Sequence, residues 1–162
     1  MYYNDIVLIE SLTKMNLKIY KSKPFGNCFF NSISKYMRMS KNIHISGNNI
    51  RKNLIQYIED NSFVINYLQN IGGMTIEDIS CDLVELKKSG VYDLDIFDFI
   101  PVIIATQYNL KISIYTWIEL SDVHLQHKDK ETYYPIKNKK TSGEVILLYS
   151  NLEHYDLLYP CE

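Results

Sequence analysis

Cys28 has the local sequence of a reactive thiol. It follows the turn residues Gly26 and Asn27 and precedes a strongly amphipathic helical pattern, which predicts a position at a helix N-terminus. The unpaired N–H groups and the positive dipole end found there favour the thiolate, the nucleophilic form of cysteine. The N–H groups of Asn27 and Cys28 can also converge on one point as an oxyanion hole. The alternative interpretation is a small buried hydrophobic residue at the start of a helix.

A base for such a thiol has to be one of four histidines, which are His44, His124, His127 and His154. His154 lies between two apolar runs, so it begins a predicted core strand, which is a rigid position for a catalytic group. Residues i and i+2 of a strand share a face, so Asp156 can reach the imidazole and fix its tautomer. The alternative is a surface histidine at a strand edge. His124 and His127 form an H-x-x-H in a polar loop without cysteine, and we expect no metal there.

Helical patterns fill the first two thirds of the chain and strand patterns the last third. The predicted helices cover 4–14, a segment from 28 onwards, 49–60, 63–68, a segment from the cap at Thr75 to a stop at Gly90, and 98–108. The predicted strands cover 17–20, 110–117, 145–149 and 154–159, and a β-ribbon is expected at 131–136 within the polar loop 121–143. This order indicates an α+β domain, with helices packed on a small sheet.

Length and composition exclude several classes of protein. The 162 residues match one domain, and a chain of this size folds without disulfides or metal. The net charge of −2 argues against nucleic acid as a partner. No run approaches the roughly 18 apolar residues of a membrane span. The three cysteines, Cys28, Cys81 and Cys161, show no C-x-x-C spacing, which fits free thiols in a reducing compartment.

Two motifs near opposite ends of the chain resemble those of the OTU (ovarian tumour) family of cysteine proteases. Residues 26–33 read GNCFFNSI, which is similar to the family's nucleophile motif, commonly Asp-Gly-Asn-Cys-Leu/Phe-Phe/Tyr followed by a helix. Residues 154–156 read HYD and resemble its closing motif, His-aromatic-Asn/Asp. A helix bearing Arg51, a helix ending before Tyr92 and the strand at 111–115 follow in the family's order. The resemblance covers about residues 15–160 and looks especially like compact OTU domains of viruses and intracellular bacteria.

The resemblance implies a papain-like OTU fold, with helices packed around a small, mostly antiparallel sheet in one protease domain over residues 1–162. The implied activity is that of a deubiquitinase, which hydrolyses (iso)peptide bonds at the C-terminal glycine of ubiquitin or a ubiquitin-like modifier with the triad Cys28, His154 and Asp156. No cofactor or metal is implied. The expected partners are ubiquitin or polyubiquitin, and we expect a monomer in the cytoplasm. For a viral protein or bacterial effector, this is the host cytosol, where it would counter host ubiquitin signalling.

Further site residues follow from the same resemblance. It implies an oxyanion hole formed, largely through backbone groups, by Phe25, Gly26 and Asn27. The ubiquitin tail ends Leu-Arg-Gly-Gly, which implies a narrow channel with acidic residues beside the arginine. By position, the candidate substrate-binding residues are Tyr92, Asp93, Asp95 and Glu153. Tyr92 replaces a frequent tryptophan of the family and Phe25 its usual aspartate, and the second departure motivates an alternative, a catalytically weak module that binds ubiquitin.

Overall fold

Over residues 3–23, 26–117 and 129–161, which the computed structural model describes, the chain forms six α-helices and a five-stranded sheet. The helices are α1 Tyr3–Lys14, α2 Cys28–Lys41, α3 Gly47–Asp60, α4 Ser62–Asn70, α5 Ile76–Leu86 and α6 Ile100–Tyr108, with a 3-10 helix at Asp95–Phe99. The strands are β1 Leu17–Tyr20, β2 Lys111–Trp117, β3 Asp129–Tyr133, β4 Glu144–Ser150 and β5 His154–Pro160. The predicted α+β class is confirmed. None of the helices in these ranges is long and apolar enough to cross a membrane.

The C-terminal strand β5 lies inside the sheet, whose strand order is β1-β5-β4-β2-β3. The strands β2 and β4 are parallel and the other neighbouring pairs are antiparallel, as the mostly antiparallel prediction requires. The strands β4 and β5 form a hairpin that pairs Ser150 with His154. On its other side, β5 pairs with β1 only as far as Tyr20 opposite Leu157. Among the described strands, none pairs with the first residues of β5 on that side.

The strand side chains alternate between two apolar layers, one on each face of the sheet. Leu147 and Leu157 belong to the main core, which contains buried residues of α2, α3 and α6. Leu148 and Leu158 pack on the opposite face with Leu12 of α1. Asp156 shares the face of Leu158, and a slip of β5 by one residue would turn this carboxylate toward the main core. The covering of both faces therefore fixes the register that places His154 and Asp156.

The helix α2 anchors Cys28 against the sheet. Its buried face consists of Cys28, Phe29, Phe30, Ser32, Ile33, Tyr36 and Met37. Phe30 and Ile33 are fully buried, and each such side chain stabilises the fold by about 1.5–3 kcal/mol. The helix ends at Asn42, which adopts a left-handed conformation with φ of 54°. The helical pattern predicted from Cys28 is confirmed, and it holds the cysteine rigidly at the first turn.

Helix starts differ from the sequence prediction by two or three residues at two places. α3 begins at Gly47 rather than Asn49, because the Ser46 hydroxyl caps it and accepts the Asn49 N–H at 3.1 Å. The helix predicted from 98 begins as a 3-10 helix at Asp95. This 3-10 helix leads directly into α6 at Ile100.

The helix α5 begins at its predicted cap and buries three apolar side chains. Thr75 and Asp78 cap each other through backbone and side-chain hydrogen bonds, as predicted. Ile79, Leu83 and Leu86 are buried, whereas Ile76 is 48% exposed. Ile76 lies in the first turn, next to the cap.

Candidate active site

Cys28 lies at the N-terminus of α2 and is held against the start of β5. Its side chain is almost entirely buried, and its Sγ accepts a hydrogen bond from the Tyr155 N–H at 3.3 Å. This N–H is available because β1 stops pairing with β5 at Leu157. The sulfur therefore takes the place of a strand acceptor and joins two segments 127 positions apart in sequence.

His154 and Asp156 form a polar pair on the same strand. His154 Nε2 lies 3.0 Å from Asp156 Oδ1, and the side chains are 27% and 9% exposed. The same oxygen accepts the Ser22 N–H at 2.7 Å. A carboxylate only accepts hydrogen bonds, so Nε2 carries a proton and Nδ1 is left free to act as the base.

Tyr155 mediates the contact between Cys28 and the strand that carries the imidazole. Among the described residues, no hydrogen bond joins Cys28 Sγ directly to the ring of His154. Hydrogen bonds between catalytic groups are often long in unliganded enzymes and shorten once substrate is bound. A proton can therefore pass between the two side chains only once they come within hydrogen-bond distance.

The nucleophile turn, defined as Gly26 and Asn27, precedes Cys28 and is closely packed. Gly26 has a φ of 75°, and a Cβ on it would lie 1.8 Å from the carbonyl oxygen of Gly90. The Asn27 amide nitrogen donates to Asn48 Oδ1 and, at 3.2 Å, to Ser89 Oγ. The amide oxygen accepts two hydrogen bonds from Arg51. Only backbone groups of this turn therefore remain for a substrate.

A cleft of about 230 Å³ opens beside the sulfur. It brings together Cys28 and three of the predicted substrate-binding residues, Tyr92, Asp93 and Glu153. Asp95 is exposed and is not among the described residues that line this cleft. The carboxylates of Asp93 and Glu153 make the cleft suitable for a basic substrate segment.

A larger cavity of about 560 Å³ adjoins this cleft and shares Asp98, Tyr149 and Tyr155 with it. Its other lining residues include Glu131, whose carboxylate accepts the Tyr133 hydroxyl. Tyr149 and Tyr155 stack with their ring centroids 4.4 Å apart. Burial is the main cause that raises the pKa of both phenols, so they stay neutral. The two adjoining cavities, together called the channel, are lined by aromatic rings and by the carboxylates of Asp93, Asp98, Glu131 and Glu153.

Of the other histidines, the structure describes only His44, which does not join this site. His44 is exposed between α2 and α3. Phe25, His124 and His127 lie outside the described residues. The described ranges contain no group of three or more His, Cys, Asp or Glu side chains placed to hold a metal ion.

Comparison with solved structures identifies the fold. The OTU domain of OTUD1 superposes with a TM-score of 0.66 at 16% identity, covering 93% of this chain and 90% of that domain. An OTU deubiquitinase from Wolbachia pipientis wMel bound to ubiquitin gives 0.61 at 14% identity, with 91% and 98% covered. The OTU of Hazara virus bound to ubiquitin gives 0.57 at 15% identity, with 91% and 83% covered. The chain has the OTU fold. The sequence itself matches no family model and no curated protein.

Three residues of this OTU fold were missed as site residues by sequence reasoning. Ser22 binds Asp156 through its backbone N–H, which leaves no signal in a side-chain pattern. Asp98 lines the channel one 3-10 turn after Asp95, which was predicted instead. Arg51 was noted only as a mark of the OTU resemblance, yet it is 2% exposed and bonds to the nucleophile turn.

The close packing of Gly26 in the nucleophile turn leads to a prediction about stability. We expect Gly26→Ala to lower the free energy of unfolding by about 2 kcal/mol more than Gly73→Ala, because only the first substitution drives a methyl group into backbone. Gly73 is the matched control, since its φ is 66° but nothing lies within 4 Å of an added Cβ. Both variants share the strain of a left-handed residue, roughly 1–2 kcal/mol. Urea unfolding measures the difference, and equal losses would contradict the packing of Gly26 on Gly90.

Proposed function

We propose that the protein is a deubiquitinase that hydrolyses peptide or isopeptide bonds at the C-terminal glycine of ubiquitin or a ubiquitin-like modifier. The observation that carries the proposal is the 3.3 Å contact of Cys28 Sγ with the Tyr155 N–H, one residue from the pair of His154 and Asp156. The OTU fold supports it. Two similar OTU structures, from Wolbachia pipientis and Hazara virus, are bound to ubiquitin, which supports ubiquitin as the partner.

In the proposed first step, His154 takes the proton of Cys28, and the thiolate attacks the carbonyl carbon of the terminal glycine. Because Nε2 is hydrogen-bonded to Asp156, Nδ1 is the atom that exchanges protons with the sulfur. The tetrahedral intermediate collapses to a thioester as the bond to the lysine amine breaks. His154 donates its proton to that amine, which leaves.

In the proposed second step, water hydrolyses the thioester. His154, now neutral, removes a proton from water as the oxygen attacks the acyl carbon. The bond to sulfur breaks, ubiquitin leaves with a free carboxylate, and the cysteine recovers its proton. Asp156 holds the imidazole and stabilises its charged form through both steps, without accepting the proton itself.

The oxyanion of both intermediates is proposed to bind the backbone N–H groups around Cys28, including those of the nucleophile turn. Phe25 is part of this proposal by its position in the chain alone. A helix N-terminus supports the assignment, since its first N–H groups have no acceptor within the helix. The Asn27 side chain is fully engaged by its neighbours, so its part in the proposal is to fix the backbone.

The channel supports a basic, glycine-ended tail as substrate. Two glycines without side chains can pass the narrow cleft beside Tyr92 and reach the sulfur. Asp93, Glu153 and Asp98 offer carboxylates to an arginine further back in the tail. In this proposal Asp98 takes the role that sequence position alone gave to Asp95.

The deciding experiment uses ubiquitin that carries an electrophile at its C-terminus. We expect the protein to form a stable covalent adduct, visible as a mass increase by one ubiquitin, because the tail delivers the electrophile to Cys28. The exposed thiol of Cys81 provides the control, and Cys81→Ala should form the adduct equally well. Association without a covalent bond would contradict the protease proposal and indicate a module that only binds ubiquitin. If adducts form only with a ubiquitin-like modifier, that modifier and not ubiquitin is the substrate.

The proposed setting is a reducing compartment, the cytosol. All three cysteines are free, which supports this setting because oxidising compartments favour disulfides. We propose a monomer in which residues 1–162 act as one domain. We also propose that the protein counters host ubiquitin signalling.

A further inference from the structure

Arg51 is a cation buried in the interior beside the nucleophile turn. It lies on α3 and is only 2% exposed. Its guanidinium stacks over the Phe30 ring, with 4.6 Å between Cζ and the ring centroid. Charged side chains are almost never buried this completely unless they are paired. Within the described part of the chain, however, no carboxylate forms an ion pair with it.

Every N–H of this guanidinium has an acceptor, and every acceptor is a neutral oxygen. Nε and Nη2 both donate to Asn27 Oδ1, at 3.0 and 2.8 Å, and Nη2 also donates to Gly26 O at 2.9 Å. Nη1 donates to Val91 O at 2.7 Å and to Leu86 O at 3.3 Å. The five donors of the side chain are thereby used. A lysine has three donors in another geometry and cannot reproduce this fork.

Four of these five hydrogen bonds go to the two segments that border the reacting sulfur. Gly26 and Asn27 form the nucleophile turn, and Val91 directly precedes Tyr92 and Asp93 of the cleft wall. Burial lowers the pKa of Arg51 to about 10, and the nearby Cys28 partly opposes this effect, so the side chain stays charged at neutral pH. The fold therefore retains a costly buried cation at a place where its hydrogen bonds fix the backbone next to the thiol.

We propose that Arg51 is a positioning residue that holds the nucleophile turn in the conformation whose backbone N–H groups stabilise the oxyanion. It acts through the Asn27 amide and the Gly26 carbonyl and does not touch the substrate. This inference rests on the proposed deubiquitinase function. It adds that transition-state stabilisation depends on a side chain located on another helix.

The test compares Arg51→Gln, Arg51→Lys, Asn27→Ala and the double variant of Arg51→Gln with Asn27→Ala. We expect each single variant to lower kcat about 100-fold with KM within threefold of the wild type, the size of a lost oxyanion donor. Ubiquitin with a C-terminal aldehyde, whose hemithioacetal resembles the intermediate, should bind about 100-fold more weakly. Alkylation of Cys28 by iodoacetamide needs no oxyanion hole, so its rate should change less than threefold.

The double variant shows whether the two residues act as one unit. If Arg51 works through Asn27, removing both should cost no more than about the larger single loss, whereas independent effects would multiply. Asn27 is half-buried at the surface, so Asn27→Ala keeps the test decisive even if the Arg51 variants do not fold. Unchanged kcat and aldehyde affinity in a folded variant, or a loss confined to KM, would overturn the proposal.

The wild-type protein separates this inference from the function on which it rests. If the wild type neither hydrolyses ubiquitin substrates nor binds the aldehyde, the deubiquitinase proposal fails, and the role of Arg51 fails with it. If the wild type reacts and the folded variants react equally well, only the role of Arg51 fails.

Discussion

Cys28→Ala is expected to lower the rate of ubiquitin hydrolysis by about 10⁶-fold, the loss seen when the nucleophile of a catalytic triad is removed. No other described cysteine is near the cleft, since Cys81 is exposed on α5 and Cys161 follows β5. Stability should change by only about 1 kcal/mol, because the substitution removes one sulfur and one acceptor of the Tyr155 N–H. Initial rates on a ubiquitin C-terminal fluorogenic amide and thermal unfolding measure the two effects.

Two further variants make the Cys28 result specific. Cys81→Ala should keep the wild-type rate. This result would show that the loss in Cys28→Ala is specific to the thiol of Cys28. Cys28→Ser should fold normally and remain nearly inactive, because a hydroxyl at this site is far less acidic than a thiol. Turnover by a folded Cys28→Ala protein would show that another group performs the attack.

His154→Ala is expected to cost about as much as loss of the nucleophile, near 10⁶-fold, whereas Asp156→Ala should cost about 3 × 10⁴-fold. In the proposed mechanism the base moves protons in both steps, while the carboxylate only orients and stabilises it through the 3.0 Å contact. Initial rates under saturating substrate give both losses. Equal or reversed losses would mean that another residue orients the imidazole.

Stability measurements separate catalysis from folding in this pair of variants. The imidazole is partly exposed, so His154→Ala should leave the melting temperature nearly unchanged. Asp156 is buried and accepts the Ser22 N–H at 2.7 Å, and removing it leaves that donor unpaired at a cost of about 1–3 kcal/mol. Asp156→Asn keeps an acceptor oxygen there, so it should recover part of that stability.

Strong local patterns made the fold and the centre of the site predictable. The amphipathic run after Cys28 and the capping box at Thr75 specify their helices from neighbours alone. Strand alternation is equally local, so the shared face of His154 and Asp156 followed from a spacing of two. These features depend on short-range geometry, which a sequence encodes directly.

Contacts that depend on tertiary packing were not predictable. Arg51 has the sequence of an exposed helical residue, and only the assembled fold shows that oxygens of the nucleophile turn, Leu86 and Val91 surround it. The shift from Asp95 to Asp98 arose because the helix before α6 begins one 3-10 turn earlier than its pattern indicated. The hydrogen bond from the Ser22 N–H depends on where β1 leaves the sheet, which no periodicity records.

The inner place of β5 in the sheet has a consequence for synthesis on the ribosome. The strands β1 and β4 come earlier in the chain, but each borders β5 and cannot complete its pairing until that strand has emerged from the exit tunnel. Until then the nascent polypeptide holds a thiol without the imidazole that would activate it. The order of translation therefore assembles Cys28, His154 and Asp156 only after the rest of the sheet has been made.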